Sequence, residues 1–158
     1  MDKNQRKKKI PNPRLEQQTG REQERERLQF SFKHLDENHS KFDIKNCTVE
    51  YLRALLIQIK NYSEYTEEQF KELNNRDHRH FNYWSDTSEK NGFTHLSDEI
   101  QNEYSWQFAL CPQSRTVPLA DWRVHGMIVG NVFYIVWLDP KHQLAPRNNR
   151  NALARRSS

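Results

Sequence analysis

Apolar and polar positions alternate, then shift to a helical spacing, then alternate again along this chain. In LQFSFKH, Leu28, Phe30 and Phe32 interleave with Gln29, Ser31 and Lys33. A period of two built on large apolar side chains predicts a half-buried strand. In TVEYLRALLIQIKNY, the stripe Val49, Leu52, Leu55, Leu56 and Ile59 predicts an amphipathic helix, with Thr48 as its N-cap. A second helix is predicted from TEEQ, where Thr66 and Gln69 fit a capping box and Phe70 and Leu73 give an apolar edge. The link between the two is short, which favours an antiparallel pair. NNRDHRHFNYW has room for a short strand, and EKNGFTHLSDE reads as a loop insertion within 75–103. SWQFALC alternates again, with Trp106, Phe108 and Leu110 on one side, and Pro112 and Pro118 bound the connection that follows.

The most apolar stretch is WRVHGMIVGNVFYIVWLDPKH, residues 122–142. Gly130-Asn131 separates two strand-like runs, and such pairs supply the positive φ that tight hairpin turns require. Pivoting on that turn sets Val129 against Val132, Met127 against Tyr134, His125 against Val136 and Arg123 against Leu138. One face then carries Arg123, His125, Met127, Tyr134 and Val136. The other carries Trp122, Val124, Ile128, Phe133, Ile135 and Trp137. VFYIVWL has no polar interruption, as a central strand buried on both faces requires, and Asp139-Pro140 ends it. The order is strand, helix, helix, then three strands in a meander. It predicts an α+β domain with two layers, an antiparallel sheet carrying a helical hairpin on one face. No internal repeat is visible.

Composition adds boundaries. The 158 residues are 34% hydrophobic and 29% charged, with a mean hydropathy of −1.11. That is polar for one compact domain, so part of the chain is expected to lie outside the core. Residues 1–27 have nine Lys/Arg against five Asp/Glu, and residues 141–158 have five Lys/Arg and no acid. The body, 28–140, has eleven against sixteen. The basic charge therefore sits at the ends. We expect a polar, basic, disordered extension over 1–27, where a polar helix from Thr19 (TGREQERERL) would have nothing to pack it, one domain over 28–145 and a basic tail over 146–158. Basic tails suit phosphate-bearing partners, and equally suit simple solvation. No run approaches the ~18 apolar residues of a membrane span, and no apolar segment follows the basic N-terminus. Cys47 and Cys111 lie far apart, in no metal-type spacing. The expectation is a reduced, cytoplasmic protein without membrane attachment.

Arg123 and His125 carry the sharpest chemistry. Two positions apart on one strand, they emerge on the same side about 6.6–7 Å apart, with Tyr134 on the same face of the neighbouring strand. An Arg holds phosphate with two bonds and opposes developing negative charge. A His exchanges protons near neutral pH, and a Tyr can stack on a base. A structural use is the alternative: an ion pair for the Arg, a backbone hydrogen bond for the His. Lys141 and His142 extend the same corner, or else form an ordinary solvated loop. Asp77-His78-Arg79-His80 invites a metal reading, since His78 and His80 would share a strand face. Two ligands fall short of the three or four a site needs. No Gly-rich phosphate loop and no nucleophile elbow is present, neither Cys has an adjacent base in sequence, and no cofactor is expected.

This element order resembles the RelE/ParE-type toxins of bacterial toxin–antitoxin modules, over about 28–145 and through WRVHG, VFYIVWLDP and KHQL. The stretch also resembles bacterial proteins ending in an HG…FYIVWLDP.H segment, which bring no activity with them. The toxin resemblance implies ribosome-dependent cleavage of messenger RNA without metal, neutralised by an antitoxin peptide. It implies roles in holding and cleaving RNA for Arg123, His125, Lys141 and His142. The chain departs from the pattern in four places. Ala145 stands where many such toxins have a Tyr, leaving Tyr134 as the substitute. The body is acidic, 75–103 is an insertion, and 27 residues precede the first strand.

Two functions follow as expectations. In the first, the chain is a metal-independent endoribonuclease. Arg123 stabilises the phosphate, His125 or His142 transfers protons, Lys141 and Tyr134 hold the RNA, and RNA or the ribosome and an antitoxin are partners. In the second, it is a non-catalytic accessory module that binds nucleic acid or protein. Exposure of the Arg123 face separates them.

Overall fold

The computed structural model describes residues 13–72, 78–98, 104–110 and 121–146, with side chains from Thr19 onward. Among the described residues, five strands form one sheet: β1 Gln29–Ser31, β2 His80–Tyr83, β3 Tyr104–Ala109, β4 Arg123–Val129 and β5 Val132–Asp139. Their spatial order is β1-β5-β4-β3-β2. The pairs β2–β3, β3–β4 and β4–β5 are antiparallel, and β1 runs parallel to β5. The α+β class is as expected. The element order differs. A helix, α1 Pro13–Glu26, precedes β1, and four strands rather than three follow the helical hairpin. The extra strand is β2, in the HFNY segment.

The helices form where their caps direct. Thr48 Oγ1 accepts from the Tyr51 amide and opens α2 Val49–Tyr62. Thr66 and Gln69 exchange both capping-box bonds and open α3 Glu67–Lys71. Tyr51, Ala54, Leu55, Tyr62 and Phe70 from this pair pack on Phe108, Val124, Phe133, Ile135 and Leu138 of the sheet. The predicted stripe on α2 is only partly a core face: Val49 and Leu56 point to solvent. At the first strand, Leu28 and Phe30 join this core while Phe32 is exposed.

Among the described residues, no α-helix packs on the second face of the sheet. Loops cover it, with Phe42, Trp84, Phe93 and Leu144 packed on Met127, Val136 and Trp137. Trp84, Phe93 and Trp137 meet edge to face, with ring centroids 4.7–5.9 Å apart.

The hairpin register corrects the sequence reading. The pairs Val129↔Val132 and Met127↔Tyr134 are as expected. Beyond Gly126↔Ile135 the ladder slips, and His125 faces Trp137 while Arg123 faces Asp139. The cause is a β-bulge that leaves Val136 without a partner. Val136 and Trp137 therefore both enter the loop-covered cluster, and Trp137 is not on the Phe133–Ile135 face. Gly126 permits this crossing. A Cβ there would lie 2.0 Å from the Tyr134 carbonyl oxygen and 2.6 Å from the Phe133 ring.

Within the N-terminal extension, residues 13–26 are helical. Its side chains from Thr19 to Glu26 are exposed. Its C-terminal end is fixed, since Asn131 Nδ2 in the β4–β5 turn donates to the carbonyls of Arg25 and Arg27 at 2.6 and 3.1 Å. Residues 147–158 of the basic tail, Cys111 and Asp77 lie outside the described residues.

Candidate functional site

The bulge delivers Asp139 to the face of β4 that carries His125. Asp139 Oδ2 lies 3.0 Å from His125 Nε2, with neither side chain exposed. The same carboxylate also accepts from the amides of Gln143, at 2.8 Å to Oδ1, and Leu144, at 3.0 Å to Oδ2. Burial pushes its pKa up. The His125 hydrogen bond and charge, with the two amides, outweigh that and hold it below the usual carboxylate range. An ionised carboxylate only accepts, so His125 carries its proton on Nε2. Its Nδ1 is buried and has no hydrogen-bond partner among the described residues.

Arg123 begins the same strand and is 1% exposed. Its Nη1 donates to the Trp122 carbonyl at 3.0 Å, and Tyr51 Oη donates to the Arg123 carbonyl at 2.6 Å, tying α2 to β4. After β5, the Asp139–Leu144 turn returns His142 to this corner. His142 adopts φ +54°, a left-handed conformation that a bulky residue enters at a cost. Half-burial lowers its pKa to about 4, helped by the Arg123 charge, opposed by Asp139, and lowered again by His125. At neutral pH its imidazole is uncharged. Lys141, next to it, is exposed.

Three predicted site residues, Arg123, His125 and His142, therefore meet in one corner, with Lys141 on its rim. Their accessibility is not that of an open face. Arg123 and His125 are sealed beneath the surface, and of the predicted catalytic groups only His142 is partly exposed. Tyr134 stands apart. It pairs with Met127 toward the turn end of the hairpin, and its ring lies 5.0 Å from His34.

Two contributors were not singled out in the sequence. Asp139 read as a strand terminator in LDP, because the bulge that turns it inward leaves no mark on the alternation. Gln107 is the polar interruption in SWQFALC and was a legible signal. It faces His125 across β3–β4 and accepts from Asn82 Nδ2 at 2.7 Å. Ser105, farther along β3, is fully buried with its hydroxyl unpartnered among the described residues. The helix-free face thus carries buried polar groups from four strands: Asn82, Ser105 and Gln107, Arg123 and His125, and Asp139. Unsatisfied buried groups are rare enough in folded proteins that each calls for an explanation.

Other candidates disperse. His78 sits in a turn at φ +51°, one residue before the isolated position that precedes β2, so it shares no strand face with His80. No cluster of three His, Cys, Asp or Glu with metal-binding geometry occurs among the described residues. Burial, with the carboxylates of Asp43 and Asp139, pushes the Cys47 thiol up to about 11, so it stays protonated at neutral pH. No helix among the described residues is long and apolar enough to cross a membrane.

Comparison of the chain with protein-family models, with curated proteins and with solved structures gives no match.

Proposed function

We propose that this protein is a toxin-like, metal-independent endoribonuclease acting on messenger RNA, alone or on the ribosome, under the control of an antitoxin protein. The observation that carries the reading is the left-handed, uncharged His142 set against the buried Arg123 and His125–Asp139 group. Backbone strain beside a buried histidine nitrogen without a hydrogen-bond partner among the described residues is a combination that functional sites retain.

The roles follow exposure. His142 is the group able to touch RNA and take a proton. Lys141 holds a phosphate from the rim. Arg123 and His125–Asp139 act from behind, fixing the turn and the local potential. The 2′-hydroxyl oxygen bonds to phosphorus as its proton passes to the His142 ring. The bond from phosphorus to the 5′-oxygen breaks, and that oxygen takes a proton from water. The products are a 2′,3′-cyclic phosphate and a 5′-hydroxyl. A phosphate seated at Lys141 adds negative charge beside His142 and raises its proton affinity, toward the range in which a general base works well.

The second reading, a non-catalytic module that binds nucleic acid or protein, draws on a different observation: Arg123 and His125 are 1% and 0% exposed. Buried groups with hydrogen-bond uses suit a purely structural assignment. Induced expression separates the two. The nuclease reading expects growth arrest with shortened messenger RNA, lost with His142→Ala and weakened with Lys141→Ala. Growth and intact messenger RNA with the wild-type chain would leave the binding reading in place.

A further inference from the structure

The place where the sequence pattern and the fold disagree most is the outer side of α2. Val49, Leu52, Leu56 and Ile59 follow one another at spacings of three, four and three residues. That is the a/d pattern of a helix that packs along another helix. The sheet does not use this seam fully. Leu52 and Ile59 lean on the edge of the core, while Val49 is 78% and Leu56 63% exposed. The residues that bury α2 against the sheet, Tyr51, Ala54, Leu55 and Tyr62, lie on another side of the helix.

Charge marks what the seam selects. Arg53 and Lys60 each follow an exposed seam residue by four positions, so they border the seam on the side away from the core. Both are exposed, and neither forms an ion pair among the described residues. Four other surface cations are paired, Lys71 with Glu67, Lys41 with Glu89, Arg27 with Glu64 and Lys45 with Asp43, but among the described residues only Arg53 and Lys60 stand beside the exposed apolar seam of α2. The other border of the seam holds Leu55 and Tyr62, which are already in the core. A second copy of this chain laid antiparallel would set Arg53 and Lys60 against their own counterparts, which like-charge repulsion disfavours.

We propose that the Val49–Leu52–Leu56–Ile59 seam is a docking site for one amphipathic helix of a partner protein, whose acidic residues face Arg53 and Lys60. This interaction surface lies on the helix-bearing side of the sheet and does not depend on the ribonuclease reading.

The test uses the full chain and a fluorescent 21-residue amphipathic peptide with Leu and Ile at its a and d positions and Glu at its flanking positions. Its binding is measured by anisotropy at concentrations where the peptide is monomeric. Wild type should bind. Leu56→Asp, and separately the pair Arg53→Glu with Lys60→Glu, should each weaken binding at least tenfold while leaving the thermal melt unchanged, since all three sites are exposed. A peptide with Lys replacing Glu should prefer the charge-reversed protein. No binding of the acidic peptide, equal binding by wild type and variants, or equal binding of the two peptides to wild type would overturn the proposal. So would dimerisation of the peptide-free protein that Leu56→Asp abolishes, which would make the occupant a second copy. Adsorption to phosphatidylglycerol vesicles without peptide binding would make it a membrane surface instead.

Discussion

Asp139 reaches His125 across the β4–β5 ladder at 3.0 Å, with both side chains withdrawn from solvent. The contact exists because Val136 bulges out of register, which turns the last residues of β5 over. One carboxylate then holds a histidine on the sheet and two amides of the turn that presents His142. Asp139→Asn keeps the shape and replaces an accepting oxygen with a donating amide. It should cost about 2–4 kcal/mol, the range for breaking a buried charged hydrogen-bond group. Urea denaturation at pH 7 measures this, and a loss under about 1 kcal/mol would remove Asp139 from its central position.

The bulge itself is tested at Gly126. A methyl group there meets backbone at 2.0 Å, which no side-chain rearrangement relieves. Gly126→Ala should destabilise by on the order of 3 kcal/mol or more, or prevent soluble expression. Near-wild-type stability would mean that the β4–β5 crossing is looser than described.

His142 separates stability from activity. Its φ of +54° is free to glycine and strained for histidine. His142→Gly should hold or raise stability, by up to about 1 kcal/mol, while removing the proposed proton acceptor. Thermal melts and RNA cleavage assays on the same preparation read both effects. A clear loss of stability would show that the imidazole is a packing group.

Acid should weaken the fold in two stages. His142 has a folded pKa near 4, below its ordinary value of 6.5, so the unfolded chain binds the proton more readily. Its contribution is fully present above pH 6.5 and falls away as the pH drops toward 4. The carboxylates of Asp139 and Asp36 lie below their ordinary value of 3.8. Burial opposes this in both. For Asp36 the Trp137 indole, the Asn38 amide and nearby His95 and His39 outweigh it. Their contribution is present above that ordinary value and is lost below it. Denaturation midpoints from pH 8 to 3 should fall through the first window in wild type and less steeply there in His142→Gln. Midpoints that rise on acidification would contradict both assignments.

Much of the fold is legible in local patterning. Thr48, Thr66 and Gln69 announce their helices through hydroxyl and amide groups that satisfy free backbone donors, and Gly130-Asn131 fixes the turn and the first pairs of the hairpin. These signals are local, so the sequence carries them in full. The bulge at Val136 is not local. It results from a crossing that Gly126 permits and that packing of Trp137 against Phe42, Trp84 and Phe93 rewards. Assuming an unbroken ladder therefore misplaced Trp137 and hid Asp139. The corner of Arg123, His125 and His142 was found from residue type, but its burial was not, because loops close the helix-free face. The stripe on α2 was overread for a related reason: a helix can be apolar around more of its circumference than its own domain covers.

In the proposed reaction, His142 takes the proton of a 2′-hydroxyl in RNA cleavage. The direct measurement is incubation of the purified protein with messenger RNA, free and ribosome-bound, beside an otherwise identical strand carrying a single 2′-deoxy position at the mapped cut. The all-ribo strand should yield a 2′,3′-cyclic phosphate end, the deoxy position should not be cut, and His142→Ala should cleave at least a hundredfold more slowly, the range for loss of a general base. No cleavage by the wild-type protein under either condition, or equal cleavage by His142→Ala, would contradict it.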